Sequence, residues 1–215
     1  MKSYHILLLA FLSFVCINLN GQVFVGGNFG INSSTSKNED GTSTLQKSSS
    51  HNFGFAPMVG KFQSEKLAIG ISLNLAFSGN SSESNGVNNP TSTTASTIGI
   101  SPFIRYYAFK WNKFSLYGQG NAGIDFSNYS SKNGGVTTQG PKDTRFYVTF
   151  LPGLSYDVND KLSFQTSLNI LSLNYAYLSS KDGSITGKSS SFNFGGGLGN
   201  IVSVSSITIG AIYKF

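Results

Sequence analysis

The sequence predicts an all-β fold, an eight-stranded antiparallel up-and-down transmembrane β-barrel, and three observations carry that reading. Apolar residues recur at every second position in run after run, the spacing of strands with one apolar face. Charged residues are only 11% of the 215 positions, well under half of the roughly 25% usual in soluble domains. Mean hydropathy is nevertheless −0.03, because Ser, Thr, Asn and 25 glycines offset the apolar residues. A collagen, a coiled coil and a disulfide scaffold are excluded. A helical membrane bundle is excluded too, since no run after the N-terminus approaches the roughly 18 apolar residues of a spanning helix.

Residues 1–21 read as a secretory leader, with Lys2 and His5 as a basic start, Ile6 to Ile17 as the apolar stretch and Asn18 to Gly21 as a polar exit. An uncleaved anchor fits less well because the apolar stretch is short. A lipoprotein leader ending at Cys16 also fits less well, because Val15 stands where a small residue belongs. Cleavage after Gly21 removes Cys16, the one cysteine, and Lys2 from a formal charge of +6. Residues 22–215 then form one barrel domain without disulfide or thiolate chemistry.

The strands follow in order. A first near Gln22 to Asn32 places Val23, Val25, Phe29 and Ile31 on one face, and a second lies near His51 to Phe62. The third sets Leu67, Ile69, Ile71, Leu73, Leu75 and Phe77 against Ala68, Gly70, Ser72, Asn74 and Ala76. The fourth sets Ile98, Ile100, Pro102, Ile104 and Tyr106 against Gly99, Ser101, Phe103, Arg105 and Tyr107. The fifth runs Phe114 to Phe126 and the sixth Phe146 to Tyr156 in the same manner. A seventh starts at Leu162 but changes phase near Ile170, which predicts a bulge. The eighth ends at Phe215, and because Phe192 to Phe215 exceeds one span, Phe192 to about Ser203 is expected to project above the membrane, bent at Gly195 to Gly199.

A strand–turn–strand unit repeats: Glu65 to Ile69, Asn112 to Leu116 and Asp160 to Phe164 correspond, at spacings of 47 and 48 residues. Each has a proline upstream, Pro57, Pro102 and Pro152, although proline removes a ladder donor. The connections at Gln63 to Lys66, Lys110 to Lys113 and Val158 to Lys161 are short. Those at Ser33 to Ser50, Ser78 to Ala95, Ser127 to Asp143 and Ser179 to Ser190 are long and polar.

The less apolar face carries Arg105, Asp125, Asp157 and Lys214 besides Asn and Gln side chains, which a dry core would not tolerate and a polar lumen accommodates. The apolar face therefore points to lipid, and a sheet in lipid must close. Tyr106, Phe109, Trp111, Phe114 and Tyr156 are expected to form an aromatic girdle at the short-turn end, with Phe62, Tyr107, Tyr213 and Phe215 nearby.

The C-terminus, Thr208, Gly210, Tyr213 and Phe215, has the polar-x-Gly-x-x-aromatic-x-aromatic pattern of an outer-membrane assembly signal. On it and the strand pattern, Gln22 to Phe215 resembles the small OmpA/OmpX-like outer-membrane β-barrel family. The resemblance implies a bacterial outer-membrane location, assembly by the barrel assembly machinery, short turns in the periplasm and long loops at the cell surface. The overlong last strand departs from the family pattern.

Chemistry-bearing residues are sparse. His51, the one histidine of the mature chain, sits where the first long connection meets the second strand. A small outer-membrane lipid-modifying enzyme would use such a histidine with a serine and a carboxylate, yet a match by residue type alone is nearly assured here. Metal and cofactor sites are not expected: Glu39 and Asp40 make a weak set, and Gly195 to Gly199 are followed by no helix. Lys37, Lys47, Lys132, Lys142, Arg145, Lys181 and Lys188 are read as loop residues that solvate or meet lipopolysaccharide and outer-membrane lipid, and nucleic acid is not an expected partner. Arg105, Asp157 and Lys214, with Asp125, are expected to plug the lumen as a polar network. The sequence thus predicts a monomeric, non-enzymatic barrel whose loops contact envelope components or an extracellular ligand. The alternatives are a narrow channel and a lipid-modifying enzyme using His51.

Overall fold

The computed structural model describes residues 21–40, 43–84, 91–168, 171–196 and 208–215. These form ten strands: β1 (Val23–Asp40), β2 (Ser43–Phe62), β3 (Leu67–Ser84), β4 (Thr91–Trp111), β5 (Phe114–Asn133), β6 (Val136–Asp157), β7 (Leu162–Ser167), β8 (Leu171–Asp182), β9 (Ile185–Gly196) and β10 (Thr208–Lys214). All pairings are antiparallel. Eight strands close a ring, β1 to β7 in chain order and then β10 between β7 and β1. Where these eight strands meet, each has a partner on both sides, which is the condition for a sheet in hydrocarbon; above that level β8 and β9 extend the wall from β6, and among the described residues β9 pairs only with β8.

The faces follow the predicted alternation. Phe29, Ile31, Phe53, Phe77, Ile98, Ile104, Phe126, Phe146 and Phe150 stand exposed on the outside. Ala68, Ser72, Ser101, Phe103, Arg105, Tyr117 and Asp125 are buried inside. Outward apolar residues run from Val23 to Ile31, Leu67 to Phe77, Phe114 to Phe126 and Phe146 to Tyr156, close to the about 9 to 11 residues of a tilted membrane strand.

The polar connections differ from the expectation of long loops. β1 and β2 stay paired to Asp40 and Ser43, β3 and β4 to Ser82 and Thr91, and β5 and β6 to Asn133 and Val136. Most of each connection is strand. The sheet therefore continues beyond the apolar band, with strands of 18 to 22 residues where about half that number would span a bilayer. The β5–β6 turn is tight, with Gly134 at φ 56° and Gly135 at φ 87°, and Gly183 at φ 57° serves β8–β9. The left-handed pair Gly134 and Gly135 matches the twist of a hairpin. At the other end Asn112, at φ 52°, makes the β4–β5 turn.

The last strands are rearranged relative to the prediction. Phe192 belongs to β9, which pairs with β8 rather than running on into β10. Phe192 and Phe194 lie opposite Tyr175 and Leu173, which pair with the lipid-facing Val148 and Phe150. They stand level with the apolar band, not above it. The bend predicted at Gly195 to Gly199 is not present at its start, where Gly195 and Gly196 pair with Ser172 and Leu171 as regular β9; Gly197 to Gly199, like residues 1–20 of the predicted leader, lie outside the described residues.

The phase change near Ile170 has a counting explanation. β6 pairs Gly153 with Ser167 of β7 and Phe150 with Leu173 of β8. Three residues separate 150 from 153 while six separate 167 from 173, and an odd excess of three swaps the face. The three prolines share one rule. Pro57, Pro102 and Pro152 each keep register with the preceding strand, opposite Gly27, Ile71 and Gly118. Each is skipped by the ladder to the following strand, where its missing N–H points.

Candidate functional site

The lumen is filled from the short-turn end upward. At the rim, Lys214 Nζ lies 3.0 Å from Asp157 Oδ1 and Lys110 Nζ 3.5 Å from Oδ2, while the Ser163 hydroxyl donates to Oδ1. Above them an apolar plug forms from Phe24, Met58, Ala68, Phe103 and Ile212, with Phe62 and Tyr107 packed against it. Phe24 is 0% and Ile212 1% exposed, so neither side chain touches solvent. Glycine makes the room: a Cβ at Gly60 would strike the Phe24 ring and one at Gly70 the Phe103 ring. Full burial of a phenylalanine contributes about 1.5–3 kcal/mol.

Phe62 and Tyr107 correct the girdle. Their rings stack inside, 5.8 Å apart, with Phe62 5.2 Å from Phe24. Tyr106, Phe109, Trp111, Phe114 and Tyr156 all stand exposed on the outside at the short-turn end. A register shift between Tyr107 and Phe109 turns Phe109 outward while Tyr107 stays in.

Arg105 caps the plug, 1% exposed. Its Nε donates to Gln119 Oε1 at 2.8 Å, and one terminal nitrogen donates to Gln165 Oε1 at 2.7 Å and the Tyr107 hydroxyl at 3.3 Å. The Tyr117 ring lies 4.4 Å from the guanidinium carbon. Amide oxygens and aromatic faces thus satisfy a buried cation without a carboxylate contact. Gln165 in turn donates to Asn28 Oδ1 at 2.7 Å.

Asp125 lies higher, six positions along β5 from Gln119, about 20 Å at 3.4 Å per residue. It is 2% exposed and pairs with Arg145 on β6, and Asn74 donates to its Oδ1 at 3.1 Å. Arg145, read from the sequence as a loop residue, therefore serves the lumen wall. The four predicted lumen residues divide into three groups: Asp157 with Lys214, Arg105 with glutamines, and Asp125 with Arg145. The neutral partners Gln119, Gln165, Asn28 and Asn74 join strands within these groups. Their inward phase was the signal for them.

A cavity of about 890 Å³, lined in part by Lys66, Lys110, Asp157 and Lys214, opens at the short-turn end. Another of about 280 Å³, lined in part by Gly30, Asn32, Asn52, Gly54 and Ala76, lies at the far side of the plug. Thr208 and Gly210 face inward at the ring closure, and Tyr213 and Phe215 face outward with rings 5.2 Å apart. Gly210 lies against Asn28, whose amide and the Gly27 carbonyl occupy the space a Cβ would need. His51 falls within β2, not at its start, and its Nδ1 lies 2.9 Å from Ser33 Oγ on the exposed face. Among the described residues no group of three metal-ligating side chains occurs.

A closed ring with an apolar exterior and a polar, plugged interior defines a transmembrane β-barrel. No family model matches the chain, and no curated protein matches it. Among solved structures it is similar to a major outer membrane protein from Thermus thermophilus, at 12% identity and a TM-score of 0.50, covering 91% of this chain and 100% of that one. It is also similar to the outer membrane protein OprG from Pseudomonas aeruginosa, at 11% identity and TM-score 0.49 over 91% and 96% of the two chains. Neisserial surface protein A gives 14% identity and TM-score 0.39 over 90% and 97%. The fold is that of outer-membrane β-barrels.

Proposed function

We propose that this barrel is a non-enzymatic membrane platform. It holds an ordered sheet at the cell surface for contact with envelope components, other cells or host molecules, its short turns facing the periplasm. One observation carries the reading: β1 to β6 run about twice as far as a bilayer requires while the lumen beneath is plugged. A protein selected to pass solutes gains nothing from Phe24, Ile212 and Arg105 across its bore, whereas a rigid plug supports an extended wall. The test uses the absence of cysteine from 22–215. Ser49→Cys in the extended part of β2 labels with a membrane-impermeant maleimide on intact cells; labelling only after lysis contradicts the orientation.

The channel reading is tested by planar-bilayer recording, where the wild type gives no steady conductance and the combined variant Phe24→Ala, Arg105→Ser, Ile212→Ala does. Steady conductance from the wild type contradicts the plug. The Ser33–His51 contact favours the lipid-modifying alternative, but among the described residues no carboxylate contacts the imidazole, and a triad needs such a group to orient its base. His51→Ala leaves the membrane lipid mass spectrum unchanged; loss of a lipid product contradicts the non-enzymatic reading.

A further inference from the structure

The loop lysines become ordered once the connections are seen as sheet. On β6, β8 and β9 the register places Lys142 directly opposite Lys181, and Lys188 opposite Ser179, two positions from Lys181. Phe146 pairs with Tyr177, and Tyr175 with Phe192, so the same alternation that turns those aromatics to lipid turns all three lysines outward. Each lysine lies four residues beyond an outward aromatic of its own strand: Phe146, Tyr177 and Phe192. At about 3.4 Å per residue and about 40° of tilt, four residues raise a side chain about 10 Å above that aromatic. That is the level of lipid headgroups.

Directly opposed side chains stand about 5 Å apart at Cβ and diagonal ones about 7–8 Å, so these charges repel, within a Debye length of one another. No acid relieves them. Asp143 and Asp182 take the opposite phase, Asp143 inward beside Tyr129 and Asp182 opposite Ile185. Among the described residues of β5, β6, β8 and β9 that face outward beyond the band, none is acidic. All three lysines are exposed. Lys47, on the other side of the sheet, shows the contrast, since Glu83 lies opposite it with 3.8 Å between charged atoms.

We propose that Lys142, Lys181 and Lys188 form a binding site for the phosphate groups of an anionic glycolipid in the outer leaflet. Height selects lipid over a soluble polyanion, because the site stands directly above Phe146, Tyr177 and Phe192, beside which acyl chains lie. The attraction per lysine near an anionic surface corresponds to about a five-fold change in affinity, so three lysines give about a hundred-fold. The site does not depend on what the projecting sheet contacts or on whether the lumen conducts.

The test is native mass spectrometry of the detergent-folded barrel titrated with purified lipopolysaccharide, with the same glycolipid after chemical removal of its phosphates, and with heparin. The wild type is expected to retain the phosphorylated lipid about a hundred-fold more tightly than the dephosphorylated one. The variant Lys142→Ser, Lys181→Ser, Lys188→Ser binds both alike, and the three-arginine counterpart keeps the preference. The single variant Lys181→Ser, about five-fold weaker, serves if the triple variant does not fold. Equal binding of both lipids by the wild type, an unchanged preference in the serine variants, or tighter binding of heparin than of lipid overturns the proposal.

Discussion

The same strands build two regions that differ in what their faces meet. From Val23 to Ile31 or Phe146 to Tyr156 one face meets lipid and the other a packed interior, so period 2 is stark and inner positions hold large buried groups such as Phe24, Phe103 and Arg105. Beyond Ile31 and Phe146 both faces meet water, and both carry Ser, Thr, Asn and Lys. There the wall is held by ladder hydrogen bonds and exposed cross-strand pairs such as Thr35–Ser49, 3.4 Å between hydroxyls. Packing defines the first region and backbone pairing the second, so side-chain changes should cost far more in one than in the other.

Gly210→Val tests this most severely. The added side chain meets Asn28 and the Gly27 carbonyl at the ring closure, so the unboiled protein is expected to run on a gel as the unfolded form. Phe24→Ala empties the plug and should cost about 3–5 kcal/mol in urea unfolding from lipid vesicles. Arg105→Met leaves the Gln119 and Gln165 carbonyls without their donor, at about 1–3 kcal/mol for each buried group left unpaired. Thr35→Val, in the projecting region, should stay within about 0.5 kcal/mol. A cost there that rivals Phe24→Ala would erase the distinction.

The smallest effect is a pH dependence. Partial burial, then the charge and hydrogen bonding of Asp143, raise the Tyr129 phenol above its ordinary 10.0. A group whose folded pKa is raised contributes stability that is present below about pH 10 and lost as pH rises through the folded value. Tyr129→Phe should therefore flatten the fall in unfolding midpoint above pH 10, and an unchanged slope would place the tyrosine in water.

Much of the fold was legible because lipid on one side and a packed lumen on the other write alternation into the residues. Tyr106, Phe114 and Tyr156 could be picked out on the outer phase and Tyr107 on the inner one with Arg105, whereas Phe109 and Trp111 share the phase of Tyr107 and turn outward only through the register shift between Tyr107 and Phe109. The projecting sheet was read as loop because two wet faces leave no alternation to see. A signal was present, since Asn133-Gly134-Gly135 and Asp182-Gly183 are tight-hairpin sequences within those connections. The division of the lumen residues into three groups was hidden for another reason. Facing inward is set by phase, but height along the bore is set by register, and no local pattern reports it. Arg145 shows the cost of that, since it reaches Asp125 only because the β5–β6 register sets the two opposite one another at the upper end of the apolar band.

Backbone amide hydrogen exchange of the barrel reconstituted in lipid vesicles tests the central claim, that the strands continue as ordered sheet beyond the membrane. Amides in 33–40, 46–50, 78–84, 91–97, 127–133 and 136–143 should exchange far more slowly than an unstructured chain, though faster than those of the plugged lower wall. Exchange in these segments at the rate of unstructured loops would contradict it.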